Sequence, residues 1–213
     1  MSTAITEGIV GGVTAVFEPL TVQQYHAMIS SGILREGSPV ELIDGMLVRK
    51  DRRDREGSIM TVGPGHSFTV TNLDELFDEL LKSTGFHVRT QQPLTLSGTS
   101  EPEPDGSIVR GTAADYRKRH PGPSDTTVVI EVADSSLEYD RVVKLKKYAA
   151  AGIPVYWIIN LRDNEVEVYL RPLPADERYE DCVRFRSGDS LEVALDSRGI
   201  TLEVESLFGD DST

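Results

Sequence analysis

A carboxylate set inside an apolar strand is the feature of this sequence that most constrains its fold. Residues 126–136 read Thr-Thr-Val-Val-Ile-Glu-Val-Ala-Asp-Ser-Ser. Alternation over 128–133 gives both faces of the predicted strand apolar side chains, with Glu131 as the one charge among them. Apolar residues on both faces are typical of a central strand in an α/β sheet. A carboxylate buried there costs free energy unless a metal ion, a lysine or an arginine meets it. Glu131 is therefore either an ion-paired structural residue or part of a functional site, and this stretch alone leaves both open.

Composition narrows the class of protein. The chain has 213 residues, of which 38% are hydrophobic and 27% charged, as in a globular protein of one domain. The net charge of -13 argues against a protein that coats nucleic acid by bulk electrostatics, but it permits a local basic cleft or a metal-dependent acidic site. The single cysteine, Cys182, excludes an intramolecular disulfide and a cysteine zinc site. Without a signal peptide pattern or a membrane-spanning apolar run, a soluble cytoplasmic protein with no membrane contact is expected.

The apolar pattern predicts strands and helices in mixed order. Helices are predicted over residues 67–83 and 139–151. Strands are predicted in the Asp-Gly hairpin at 40–48, around Glu131, and in four further segments: 87–96, 105–109, 154–161 and 165–170. This order favours a single α/β or α+β sheet flanked by helices. The predicted organisation is a flexible or edge arm over residues 1–18, one domain over 19–208 and an acidic tail over 209–213.

Two carboxylates fall on consecutive predicted strands. Asp105 opens the strand before the one that carries Glu131. If these strands pair, both side chains can face one cleft, where close carboxylates repel each other unless a cation lies between them. Hard oxygen ligands with open positions suit Mg²⁺ or Mn²⁺ rather than zinc. Such an ion can activate water and stabilise a phosphoryl transition state, so the pair predicts a divalent-metal site.

The helix after Glu131 carries the third element of this constellation. Asp140, Lys144 and Tyr148 recur every four residues and share one helix face. An α-helical wheel gives the helix a different apolar stripe, formed by Val142, Leu145 and Ala149. Because Lys144 lies nearly opposite that stripe, spacing alone favours a solvent-facing lysine paired with Asp140. The alternative is that the polar face borders the carboxylate cleft and Lys144 reaches the attacking water.

These motifs, in this order, resemble a known family of nucleases. The matching segments are Glu41–Gly45, His66 before a long helix, Pro104–Asp105, Val129–Val132, Asp134–Ser136, and the series Asp140, Lys144, Tyr148 and Gly152 followed by Tyr156–Trp157. From about Leu20 to Arg171 the chain resembles the Uma-two family of restriction endonucleases, within the PD-(D/E)XK nuclease superfamily.

The resemblance implies a restriction-endonuclease-like domain, with a mixed sheet flanked by helices and a divalent metal held by Asp105 and Glu131. The superfamily's lysine normally lies two residues after the second carboxylate, where this chain has Ala133. Lys144 is the candidate for a relocated lysine, as the family pattern implies. Glu41 matches an acidic residue near the start of the family pattern, which contacts either the metal or the residues that bind it.

The combined expectation is a nuclease that depends on Mg²⁺ or Mn²⁺ and hydrolyses phosphodiester bonds, with DNA as its nucleic-acid partner. Its expected catalytic residues are Asp105, Glu131, Lys144 and Glu41. One alternative is a catalytically inactive nuclease-fold module for binding or assembly, which Ala133 and the net charge of -13 support. A nuclease that acts on RNA is a second alternative. A homodimer is compatible with the resemblance, since nucleases of this superfamily often cut two strands as dimers.

Two other features bear on phosphate contact. His66, ahead of the first long helix, is predicted to have a structural role, with the orientation of a phosphate as the alternative. Residues 117–120 read Arg-Lys-Arg-His and form a basic cluster that could contact a phosphate backbone, although a solvated loop is the default interpretation.

Overall fold

A computed structural model describes residues 6–10, 13–50, 52–53, 59–60, 63–196 and 198–209. The chain divides into two compact units: Met1–Met60 with Thr95–Pro102, and Thr61–Leu94 with Glu103–Thr213. No helix within the described ranges is long and apolar enough to cross a membrane. The division into arm, domain and tail stays a prediction, and residues 210–213 of the expected tail lie outside the described residues.

The smaller unit consists of short antiparallel strand pairs and one helix. Its elements are β1 (Thr6–Val10), β2 (Val13–Phe17), α1 (Val22–Ser30), β3 (Val40–Ile43), β4 (Met46–Arg49), β5 (Arg52–Arg53) and β6 (Ile59–Met60). The predicted hairpin is confirmed: β3 pairs with β4 around Asp44 and Gly45, whose φ angles of 51° and 77° are those of a two-residue hairpin turn. Thr21 caps α1, because its Oγ1 accepts from the Gln24 amide at 3.2 Å.

The larger unit is built on a six-stranded sheet. Its strands are β7 (Phe86–Thr90), β8 (Gly106–Arg110), β9 (Thr126–Ala133), β10 (Val155–Asn160), β11 (Glu165–Leu173) and β12 (Arg178–Arg186), in spatial order from β12 to β7. β9 and β10 run parallel, and every other neighbouring pair in this sheet is antiparallel. The predicted mixed sheet is therefore confirmed. A separate hairpin follows it, made of β13 (Ser190–Leu195) and β14 (Arg198–Glu203).

Two helical segments accompany the sheet. The first is α2 (Pro64–Leu80). The second begins with α3 (Leu137–Tyr139), widens into a π-helical turn (Asp140–Lys144) and continues as α4 (Leu145–Ala150). Both predicted helices are present, with boundaries shifted by a few residues. The strand predicted over 87–96 ends at Thr90, because Gln91 adopts a φ of 49°, which breaks the extended conformation.

The two faces of the sheet have different coverings. One face, here called the core face, carries Ile108, Ile130 and Trp157, which form a continuous apolar cluster with residues of α2 and of the β13–β14 hairpin. The opposite face, here called the site face, carries Glu131 and, through the strand register, Tyr156. The α4 helix packs against β11 and β12. Because successive side chains alternate between faces, one strand, β9, supplies both the apolar core and Glu131.

Candidate active site

The structure brings Asp105 and Glu131 together on the site face. Gly106 of β8 pairs with Ile130 of β9, so extending this antiparallel register by one residue puts Asp105 opposite Glu131. Residues directly opposite each other share a sheet face, with Cβ atoms about 5 Å apart. The Val132 amide also donates to Asp105 Oδ2 at 2.9 Å, which ties the Asp105 side chain to β9. The two predicted metal ligands are therefore neighbours.

Lys144 lies against the same carboxylate. The residue is buried, with 4% of its surface exposed, and Nζ is 3.2 Å from Glu131 Oε1. Tyr148, one turn further along, donates its hydroxyl to the same oxygen at 2.7 Å. The expectation of a solvent-facing Lys144 is therefore wrong, and the alternative, a helix face that borders the carboxylates, describes the structure.

The π-helical turn explains why the helical wheel misplaced Lys144. With about 3.6 residues per turn, each step of four residues in an α-helix advances about 40° around the axis. The wider π-helical turn over Asp140–Lys144 offsets this drift, so Asp140, Lys144 and Tyr148 are all buried. Val142, which the wheel assigned to the apolar stripe, is 49% exposed instead. Single π-helical turns are frequently found at functional sites.

Asp140 and Tyr156 hold the start of this helix against the sheet. Asp140 is buried, and its Oδ2 accepts from Ser136 Oγ at 2.6 Å. Its carbonyl oxygen accepts from the Tyr156 hydroxyl at 3.2 Å. Burial raises the pKa of Tyr156 well above its ordinary value, so this hydroxyl keeps its proton and remains a donor. The Tyr156 ring also packs on Tyr148, with centroids 5.0 Å apart, which fixes the helix face that carries Lys144.

His66 contributes to the site from α2, where its side chain contacts Asp105. It lies in the first turn of that helix and is buried, with Nε2 3.1 Å from Asp105 Oδ2. An ionised Asp105 can only accept, so Nε2 is the donor of this hydrogen bond. Asp105 Oδ2 is thus held from two sides, by His66 and by the Val132 amide. The sequence motif predicted His66 just ahead of this helix, whereas the structure places it within the first turn.

Ala133 and Glu41 occupy the remaining predicted positions. Ala133 is buried on β9, on the same face as Glu131 and two residues beyond it, where the superfamily's lysine is expected. Its methyl group supplies no charge. Glu41 belongs to the smaller unit, where it is buried on β3 opposite Val48. Its assignment to the catalytic set stays a prediction.

The chemistry of this donor set fits a hard divalent cation. Asp105 and Glu131 supply carboxylate oxygens on one sheet face, the ligand type that Mg²⁺ and Mn²⁺ prefer. Two neighbouring carboxylates repel each other when both are ionised, and Lys144 offsets only part of that charge. A cation between them would remove the remaining repulsion.

Comparison with known proteins gives a family and a similar fold. The family model described as "Uma2: Putative restriction endonuclease" matches residues 22–205. Among solved structures, the fold is similar to that of "a putative nuclease belonging to DUF820" from Anabaena variabilis, with a TM-score of 0.61 and 16% sequence identity over 89% of this chain and 98% of that one. No curated protein matches the sequence. Since the family model spans most of the chain, this protein belongs to the Uma2 family.

Proposed function

We propose that this protein is a nuclease that depends on a divalent metal and hydrolyses phosphodiester bonds of DNA. The observation that carries the proposal is the contact of 3.2 Å between Lys144 Nζ and Glu131 Oε1, beside an Asp105 that lies opposite Glu131 in the strand register. Carboxylates and an amino group arranged in this way can bind a cation and stabilise a phosphoryl transition state. The family description and the fold similarity support nuclease chemistry in general.

Asp105 and Glu131 would hold the metal ion, either Mg²⁺ or Mn²⁺. When bound, the ion supplies positive charge that stabilises the negative charge developing on the scissile phosphate. The protein's own contribution is to fix both carboxylates in position. His66 and the Val132 amide hold Asp105, while Tyr148 and Lys144 hold Glu131.

Lys144 would act on the reacting phosphate group. Its ammonium donates hydrogen bonds, so it can orient the attacking water or neutralise a non-bridging phosphate oxygen in the transition state. Its burial strengthens both effects, because solvent screens the charge less there. Lys144 would thus replace the lysine missing at position 133, and Glu41 is proposed as an assisting acid on the family motif alone.

A second candidate function is a catalytically inactive module that uses the nuclease fold for binding or assembly. The observation that favours it is that Lys144 and Tyr148 together satisfy Glu131 Oε1 without an ion, while Ala133 leaves the usual lysine position apolar. In that case Lys144 is a structural counter-ion. Titration calorimetry with Mn²⁺ separates the two functions: the nuclease binds Mn²⁺ and loses it in Asp105→Asn, whereas wild-type protein without measurable Mn²⁺ binding would favour the module.

A cleavage assay tests the nuclease directly. Supercoiled plasmid, single-stranded DNA and RNA would each be incubated with protein in Mg²⁺, Mn²⁺ or EDTA. We expect metal-dependent cleavage of DNA by wild-type protein, and a loss of at least about 100-fold in Asp105→Asn, Glu131→Gln and Lys144→Met. Cleavage of RNA but not of DNA would change the proposed substrate from DNA to RNA. Full activity in Glu131→Gln would refute the assignment of Glu131 as a metal ligand.

Matched control variants come from the helical segment that carries Lys144. Glu138→Gln and Lys146→Met remove the same charges from exposed positions and should cleave as wild type. Glu131→Gln preserves the size of the side chain and an oxygen that can accept from Tyr148, but it removes one charge of the buried pair with Lys144. Circular dichroism therefore checks that each variant is folded before activities are compared. Glu41→Gln, assayed alongside, tests the proposed assisting acid: wild-type activity in that variant removes Glu41 from the catalytic set.

A further inference from the structure

The site face extends beyond the two carboxylates onto the edge of the sheet. Ser107 lies two residues after Asp105 on β8, so it points to the same face. Ser107 pairs with Arg89 of β7, and His87 lies two residues before Arg89 on that strand. All three side chains are therefore on the face that carries Asp105 and Glu131. Ser107 is about 7 Å along the strand from Asp105.

Each of these three residues has a buried polar atom without a hydrogen-bond partner. Among the described residues none bonds to Arg89 Nε, His87 Nε2 or Ser107 Oγ. Arg89 is only 8% exposed, and no carboxylate in the described part of the chain forms an ion pair with it. Native structures rarely leave buried polar groups unpaired, and a buried cation without an anion is especially costly. His87 Nδ1 donates to the Gly111 carbonyl oxygen at 2.9 Å, so Nε2 of the neutral ring is an acceptor. The two neighbouring donors without a partner, Arg89 Nε and Ser107 Oγ, indicate that an anion completes the site.

The Tyr116 ring packs beside Arg89 and His87 but accepts no hydrogen bond from Arg89 Nε. Its ring lies 5.7 Å from Arg89 Cζ and 5.8 Å from the His87 ring centroid. The Tyr116 hydroxyl donates to the Arg110 carbonyl oxygen at 2.7 Å, which fixes the ring. A cation–π contact uses the face of the guanidinium, so the N–H groups around its edge still need acceptors. Burial without a counter-ion also lowers the pKa of Arg89, as expected for a charge that lacks an anion.

We propose that Arg89 and Ser107 form a phosphate subsite that holds a backbone phosphate of the DNA strand next to the scissile one. Arginine presents a planar fork of donors that suits phosphate oxygens, and a serine hydroxyl adds a further donor. The separation of Ser107 from Asp105 is on the scale of one step between successive phosphates. This inference rests on the proposed function, because it assumes that the scissile phosphate lies at Asp105 and Glu131.

Binding of a short fluorescein-labelled DNA duplex, followed by fluorescence anisotropy, tests the subsite. The buffer contains Ca²⁺, which takes oxygen ligands and neutralises the carboxylates, and a gel verifies that the duplex stays intact. We expect Arg89→Met to weaken binding at least about tenfold and to make the slope of log K against log salt shallower by about one phosphate contact. Arg89→Lys, which keeps the charge but loses the fork, should bind with intermediate affinity.

The matched control is Arg198→Met, which removes the same charge from an exposed position on β14. It should bind DNA with the affinity and salt slope of wild type. The melting temperature separates a binding role from a structural one: Arg89→Met should melt at or above the wild-type temperature, because it removes an unpaired buried charge. A variant that loses binding together with stability would instead make Arg89 structural and overturn the subsite.

The remaining outcomes distinguish the subsite from the nuclease. If wild type cleaves DNA while Arg89→Met binds with unchanged affinity and salt slope, the subsite is wrong and the nuclease stands. If DNA binding depends on Arg89 but wild type cleaves nothing, the subsite is retained and the protein is a binding module rather than a nuclease. If inorganic phosphate raises the melting temperature in an Arg89-dependent way while the duplex does not bind, the site takes a free phosphate and the proposal is overturned.

Discussion

Lys144 lies 3.2 Å from Glu131 at a depth where 4% of the lysine and 5% of the glutamate are exposed. When one partner of such a buried pair is removed, water cannot readily solvate the charge that remains. A substitution at either residue therefore changes the stability of the protein as well as its chemistry. Tests of the proposed chemistry by substitution must measure both.

Removing the lysine alone should destabilise the protein. Lys144→Met removes one partner of a buried ion pair, which typically costs about 3–5 kcal/mol of unfolding free energy. The double variant Lys144→Met with Glu131→Gln should recover most of that loss, since both members of the pair are then neutral. Urea unfolding measures both, and the exposed Lys146→Met should change stability by less than about 0.5 kcal/mol. Equal stability of Lys144→Met and Lys146→Met would show that the buried pair does not form.

A lysine returned to position 133 should partly restore cleavage. Ala133 is on the same face of β9 as Glu131, so in the Lys144→Met background a lysine there can bring an amino group to the carboxylate from the strand. We expect Ala133→Lys with Lys144→Met to cleave plasmid faster than Lys144→Met alone, at equal folded fraction. Ala133→Arg in the same background is the control for added charge. Equal inactivity of both double variants, with the fold intact, would argue against a relocated lysine.

The Tyr148 hydroxyl should matter more than an ordinary buried hydroxyl. It donates to a carboxylate at 2.7 Å, and hydrogen bonds to charged groups contribute about 1.5–3 kcal/mol. Tyr148→Phe should lose stability in that range. Tyr179→Phe is the matched control, because Tyr179 donates at 2.9 Å to a neutral acceptor, the Ile153 carbonyl oxygen, and should lose only about 1 kcal/mol. Comparable losses in the two variants, measured by urea unfolding, would mean that the bond from Tyr148 to Glu131 is no stronger than one to a neutral acceptor.

Acid should destabilise the protein partly through Glu167. Burial alone would raise the pKa of this carboxyl, but hydrogen bonds from Arg141 and Tyr169 outweigh it, and the pKa is lowered from its ordinary value of 4.5. As the pH falls below 4.5, the unfolded state takes up the proton first, so the stabilisation present above that pH is lost as the pH falls through the lower folded value.

Urea unfolding at a series of pH values measures this loss. Glu167→Gln should be less stable at neutral pH and should show a shallower decline in stability below pH 4.5. Glu192→Gln, at an exposed position on β13, should follow the wild-type curve. A Glu167→Gln curve parallel to wild type would contradict the lowered pKa.

The glycine of the β3–β4 turn should resist any side chain. Gly45 has a φ of 77°, and a Cβ added there would lie 2.3 Å from the Pro19 Cβ. Gly37 has a similar φ of 75° with no atom within 4 Å of the added Cβ. Gly37→Ala should therefore cost about 1 kcal/mol from backbone strain, and Gly45→Ala should cost roughly 1–3 kcal/mol more from the clash. Thermal unfolding that ranks the two variants equally would show that Pro19 moves aside.

The sequence predicted the sheet more completely than it predicted the site. Strand alternation identified β9 and the neighbouring position of Asp105, because a period of two residues is the same in every sheet. The position of Lys144 could not be found in this way, since the wheel assumes a regular α-helix and the π-helical turn departs from it. Family resemblance, which does not depend on helix geometry, was what favoured Lys144.

The residues of the proposed subsite were missed for a different reason. Arg89 and Ser107 lie in segments whose pattern predicts strands, over 87–96 and 105–109, and nothing in that pattern distinguishes them from other polar positions. Only the register between β7 and β8 shows that they share a face with Asp105, and register is a property of the fold rather than of a local pattern. The lack of hydrogen-bond partners for these donors likewise becomes visible only in three dimensions.

The π-helical turn lets the helix carry one residue more than a regular α-helix needs between its two contacts. Deletion of the exposed Val142 would put Asp140 and Lys144 three residues apart in a regular α-helical turn, about 300° around the axis, so each would stay near the face it now occupies. The contacts of Asp140 with Tyr156 and of Lys144 with Glu131 are therefore compatible with the shorter helix. The extra residue at this exposed position is an insertion that the helix absorbs locally.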